Sequence, residues 1–141
     1  MRPGLPLSVL FLWLCLALIS CGKKGDPFLP ATQGDGRVTG LKGEWNGEYV
    51  LLTGRTREAM REGAGIRAYY AAYPLDQPPC EGCPIEYQGY ESFGREVMGK
   101  SGFSCRITEI QTGNIYFFEV RIIGPGGSLG PPSNRVGVEV P

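Results

Sequence analysis

From residue 37 onward the chain is written in short apolar stretches, each cut within about ten residues by glycine, proline or a polar turn. That punctuation leaves no room for a long helix and favours strands. Residues 103–108 alternate Phe103, Cys105 and Ile107 with Ser104, Arg106 and Thr108; residues 135–140 alternate Val136, Val138 and Val140 with Arg135, Gly137 and Glu139. A period of two marks a strand with one buried face. Residues 114–123 carry apolar side chains on both faces, as a strand in the middle of a sheet requires. Stretches at 38–41, 49–53, 66–73 and 85–90 complete a set of seven. The 22 Gly and 12 Pro together make roughly a quarter of the 141 residues, which suits a protein of many turns. An all-β antiparallel sandwich over residues 37–141 is the expectation. Residues 55–62, between a possible N-cap at Thr56 and a stop at Gly63, predict one or two helical turns at most.

Alternation also assigns an inward set. It contains Val50, Leu52, Tyr69, Ala71, Tyr73, Cys105, Ile107 and Ile110, and then Tyr116, Phe118, Val120, Ile122, Val136 and Val138. Ala68, Tyr70 and Ala72 then point outward, as do Ile115, Phe117, Glu119, Arg121 and Ile123.

The run Ile110-Gln111-Thr112-Gly113-Asn114-Ile115-Tyr116-Phe117-Phe118-Glu119-Val120 resembles the fibronectin type III pattern in which an apolar residue and a turn precede Tyr-x-Phe-x-Val. Gly127-Ser128-Leu129-Gly130-Pro131-Pro132-Ser133-Asn134 resembles the loop before the last strand of that family, and Ile66, Tyr69, Ala71 and Tyr73 match its third strand. The resemblance implies a seven-stranded immunoglobulin-like sandwich with Tyr116 as a structural tyrosine corner, its ring buried and its hydroxyl bonded to nearby backbone. It also makes the strands of Tyr70 and Phe117 neighbours. Those two side chains are therefore expected to share an exposed apolar patch, a candidate binding surface, unless the segment 80–102 folds over it. One departure stands out. The family often ends its second strand with Trp, where Val50-Leu51-Leu52-Thr53-Gly54 places glycine. Trp45 or Tyr69 is expected to fill that space.

The 14 basic residues balance the 14 acidic ones, and histidine is absent. Balance removes the positive field that nucleic-acid binding needs. Absence of His removes the usual general base, the usual zinc nitrogen and any Ser-His-Asp triad. Gly94-Arg95-Glu96-Val97-Met98-Gly99-Lys100-Ser101 has the spelling of a phosphate loop. It is followed by strand residues rather than a helix, so no nucleotide is expected. An enzyme reading would pair the carboxylates of Glu86 and Glu91, and their spacing alone does not establish that pair. No enzyme activity, no cofactor and no metal are expected.

Five cysteines are present. Cys80-Glu81-Gly82-Cys83 lies among Pro78, Pro79 and Pro84. A local Cys80–Cys83 disulfide that pins a long loop is the expectation, with a bridge to Cys105 as the alternative. A redox pair would need a helix start after a strand, and a zinc site lacks a fourth ligand. Cys105 falls on the inward side of its strand, as a buried inert thiol does.

The N-terminus pairs Arg2 with an apolar run from Leu5 to Ile19, of secretory-signal length. Leu18-Ile19-Ser20-Cys21 resembles the lipobox of bacterial lipoproteins. That resemblance implies removal of residues 1–20, acyl chains on Cys21 that hold the protein to a membrane, and a flexible tether over 21–36. Gly22 in place of an inner-membrane retention Asp implies the outer membrane, facing the periplasm. Cys21, Gly22, Lys24 and Gly25, with Phe28 and Pro30, are also similar to the start of the LptM lipoproteins, which work with the lipopolysaccharide transport machinery. Two functions follow as expectations: a non-enzymatic protein-binding or scaffold module with an envelope protein partner, or an LptM-like assembly accessory acting through the tether.

Overall fold

The computed structural model describes residues 36–56 and 65–141. Seven strands run through them: β1 (Val38–Trp45), β2 (Val50–Thr56), β3 (Gly65–Pro74), β4 (Gly89–Phe93), β5 (Gly102–Ile107), β6 (Asn114–Ile123) and β7 (Val136–Val140). They form a three-stranded sheet, β1-β2-β5, and a four-stranded sheet, β4-β3-β6-β7, with every pairing antiparallel. The described residues thus form the expected all-β, seven-stranded antiparallel sandwich.

Each sheet buries one face. On β6 the alternation is strict: Tyr116, Phe118, Val120 and Ile122 are buried, and the residues between them are half-exposed. Phe103, Cys105 and Ile107 do the same on β5, opposite Val50 and Leu52 of β2. Full burial of one such large side chain stabilises by about 1.5–3 kcal/mol. Val38, Leu41, Ile66, Ala68, Phe103 and Val140 join the core beyond the inward set read from alternation.

The glycine in place of the family's Trp has a direct explanation. A β-carbon on Gly54 would lie 2.6 Å from the Phe103 ring and 2.8 Å from a Val38 methyl. These two side chains occupy the vacated volume, while Trp45 packs half-buried at the other end of β1. Tyr69 takes no part in it.

Three expectations are corrected. The facing of β3 is inverted: Ile66 and Ala68 belong to the core, Tyr70 and Ala72 pack against it, and Tyr69, Ala71 and Tyr73 lie on the other face. The cause is register. Tyr70 pairs with inward Phe118 and Ala71 with outward Phe117, and a one-residue offset reverses every side chain. Ala71 is buried all the same, outside the core cluster. The fourth strand begins at Gly89 rather than at residue 85. Arg55 and Thr56 extend β2, so the helical turns expected over 55–62 do not begin there; their remaining residues, 57–62, lie outside the described ones.

The Pro-Ser-Asn end of the last loop acts as a clasp. The β1–β2 register shifts between Thr39 and Lys42, where Gly40 has φ +60°. Asn134 closes that gap: its Oδ1 accepts from the Leu41 N–H at 2.9 Å and its Nδ2 donates to the Leu41 carbonyl at 3.0 Å. Ser133 Oγ accepts from the Val120 N–H at 2.9 Å, which ties the same loop to β6.

Candidate functional site

Outside the core, the four-stranded sheet carries an aromatic and charged outer face. Arg67, Tyr69 and Tyr73 come from β3, Tyr90 and Ser92 from β4, and Phe117, Glu119 and Arg121 from β6. Tyr69 sits at the centre. Its ring centroid lies 5.9 Å from Tyr87 and 5.7 Å from Tyr90, at tilts of 51° and 55°. The Arg67 guanidinium lies 4.3 Å over the Tyr90 ring, and its Nε donates to Ser92 Oγ at 3.2 Å. The Arg121 guanidinium lies 5.5 Å from the Tyr69 ring centroid, and its Nη2 is 3.1 Å from Glu119 Oε1. The other Glu119 oxygen accepts the Tyr87 hydroxyl at 3.1 Å. Burial, and then the Glu119 charge beside it, push the Tyr87 phenol up to about 12. Among the described residues Tyr90, at 57% exposure, is the large hydrophobic side chain left most in water.

Local sequence explains why Tyr87 reaches this face. Gln88 imitates a strand neighbour before β4 begins. Its amide side chain accepts from the Ala72 N–H and donates to the Ala72 carbonyl, both at 3.1 Å, and its own N–H donates to the Tyr70 carbonyl at 2.9 Å. Gly89 must follow, because a β-carbon there would lie 2.6 Å from the Tyr70 hydroxyl oxygen.

The predicted Cys80–Cys83 disulfide is present, with Cα atoms 5.4 Å apart. The Cys83 N–H closes the turn on the Cys80 carbonyl at 3.1 Å, and Gly82 supplies the required φ of +78°. Arg135 Nη1 donates to the Cys83 carbonyl at 3.4 Å and so ties the loop to the start of β7. The loop and the sheet enclose a groove of about 400 Å³ lined by Pro79, Ile85, Ile115 and Phe117, among others. A second open groove of about 440 Å³ runs between Tyr69, Tyr87, Tyr90, Glu119 and Arg121.

The remaining sequence-derived sites fall as follows. Tyr116 is 5% exposed and its hydroxyl oxygen accepts the Gln111 N–H at 2.9 Å, the geometry of a tyrosine corner. Tyr70 and Phe117 do not share a patch. Tyr70 packs toward the core, while Phe117 lies on the outer face beside Tyr73, ring centroids 6.1 Å apart, and under the disulfide loop. Cys105 is a free, buried thiol, pushed up to about 12 by burial and then by the Glu91 charge. The acidic neighbour of Glu91 is Glu109 rather than Glu86; burial and then that neighbour raise the Glu91 carboxyl above its ordinary value. The phosphate-loop spelling falls on a 3₁₀ turn, Arg95–Val97, and on the turn into β5, where no α-helix begins. Cys21 and the leader lie outside the described residues. No group of three or more His, Cys, Asp or Glu able to hold a metal occurs among the described residues, and no helix among them is long and apolar enough to cross a membrane.

Alternation missed Arg67, Tyr69, Tyr87, Tyr90 and Arg121 as a group. One signal was available. With aromatic or apolar residues at nearly every position of 66–73, one row must lie outside the core whichever way the strand faces.

No protein-family model matches the chain, and no curated protein is similar enough to count as a relative. A solved structure described as "Myokine structure" is similar to it, with a TM-score of 0.50 and 12% identity, over 74% of this chain and 95% of that one. At that identity the likeness is one of fold alone.

Proposed function

We propose that this protein is a lipid-anchored envelope protein that binds a protein partner, without catalysis, through the outer face of β4-β3-β6-β7. The observation that carries this reading is Tyr90, exposed on the edge strand beside a cluster of tyrosines and arginines centred on Tyr69. Tyr and Arg are the residues that most often dominate protein interfaces. The lipobox-like Leu18-Ile19-Ser20-Cys21 supports the anchor and the envelope location.

The test is a photo-crosslinking residue placed in the full-length chain at Tyr90, and at Lys42 on the opposite sheet, in intact envelopes. Protein adducts at position 90 and none at 42 are expected. Equal labelling at both positions, or none at 90, overturns the proposal. Palmitate labelling that is lost in Cys21→Ala tests the anchor separately.

A further inference from the structure

We propose that the partner of this face presents an acidic, extended segment, and that Arg67 and Arg121 grip its carboxylates. The inference rests on the outer-face reading above and names the chemistry of the partner.

Arg67 and Arg121 are direct register partners on β3 and β6. Cross-strand partners lie about 4.5–5.5 Å apart at Cα, and like charges placed so are unfavourable. Arg121 is compensated by Glu119, but that carboxylate is shared with the Tyr87 hydroxyl. Arg67 has no carboxylate partner among the described residues; Ser92 Oγ and the Tyr90 ring hold it. Two guanidiniums against one carboxylate leave a net positive charge, carried by Arg67, next to the open groove that Tyr69, Tyr87, Tyr90, Glu119 and Arg121 line. A planar guanidinium held against an aromatic ring keeps in-plane donors free for a carboxylate, which it binds through two parallel hydrogen bonds.

Ring geometry selects a peptide over a glycan. Flat stacking of a sugar needs an open aromatic face. Here Arg67 already covers one face of Tyr90, and the Tyr69, Tyr87 and Tyr90 rings are mutually tilted. The free edge of β4 is a poor place for a strand to add. Glu91 points inward from it, lining the cavity between the sheets with Glu109, and an inward charge on an edge strand discourages pairing. The segment is therefore expected to lie across the outer face and to be held by side chains.

The test is fluorescence anisotropy of the full-length chain in nonionic detergent with a labelled peptide that alternates Glu and Thr, and with its Gln-for-Glu twin. The acidic peptide is expected to bind at least ten-fold more tightly, with the advantage shrinking as salt is raised. Arg67→Gln together with Arg121→Gln should abolish the difference, and Arg67→Lys should retain part of it. Unfolding midpoints of each variant show that the sandwich persists. Equal binding of the two peptides, wild-type discrimination by the double variant, or tighter binding of N-acetylglucosamine oligomers overturns the inference. Crosslinks at position 90 without peptide discrimination sink the acidic segment alone and leave the binding module standing. Absence of both sinks the two together.

Discussion

Replacing Tyr116 by Phe removes one oxygen and nothing else. The ring stays 5% exposed and keeps its stacked contact with Phe118, at 5.9 Å and 13° between planes. What disappears is the 2.9 Å bond from the Gln111 N–H, which fixes the turn between β5 and β6. An intramolecular hydrogen bond contributes about 0.5–1.5 kcal/mol net, and a partly buried donor left without its partner adds to the loss. The expected loss is therefore about 1–1.5 kcal/mol. With a urea slope of about 1–3 kcal/mol per molar for a small domain, the midpoint should fall by about 0.3–1.5 M with an unchanged slope. Gln111→Ala is the control. The donor is backbone, so this variant keeps the bond and should unfold near the wild-type midpoint. A Phe variant that unfolds where the wild type does would show that the hydroxyl does not hold the turn and that Tyr116 acts only through its ring.

Gly54→Ala drives a methyl to 2.6 Å from the Phe103 ring and should cost about 1–3 kcal/mol in urea unfolding, part of it recovered by adding Phe103→Leu. Burial and the Glu109 charge raise the folded-state Glu91 carboxyl above its ordinary 4.5. Ionised Glu91 therefore opposes folding, and the protein loses stability as pH rises from 4.5 through the raised value. Glu91→Gln should stabilise the protein at pH 7, and the gain should vanish below pH 4.5, as read from paired urea midpoints. Cys105, with its thiol near 12, should resist a disulfide-exchange reagent at pH 8 in the folded chain and react at once in urea. Cys80→Ser with Cys83→Ser opens a short loop outside the core. Loop-closure entropy gives a global cost of about 1–2 kcal/mol, and hydrogen exchange should rise in the loop over Phe117 rather than in β6.

The late strands were legible because their alternation is unambiguous. Between residues 103 and 107 polar and apolar side chains take turns, and only one facing buries Phe103, Cys105 and Ile107 together. Tyr116 was legible for another reason: residues 110–120 resemble the fibronectin type III pattern, and that resemblance implies a tyrosine corner at this position. Gln88 shows the opposite case. Its side chain takes the place of a ladder neighbour for Ala72, so a stretch with strand composition runs as a connection until Gly89.

Residue order alone determined that this chain builds short antiparallel strands and that Cys80 and Cys83 could close a local bridge; the latch at Tyr116 was implied by a family resemblance. The strands and the bridge are decisions made over a few residues, where period, turn chemistry and spacing act. Tertiary structure decided which way β3 faces. Ile66 to Tyr73 is apolar or aromatic at nearly every position, so period two is silent there, and only pairing with the strictly alternating β6 selects Tyr70 for the core and Tyr69 for the outer face. The candidate site depends on that selection, because Arg67, Tyr69, Tyr87, Tyr90 and Arg121 come from three separate stretches of chain that only the sheet brings side by side.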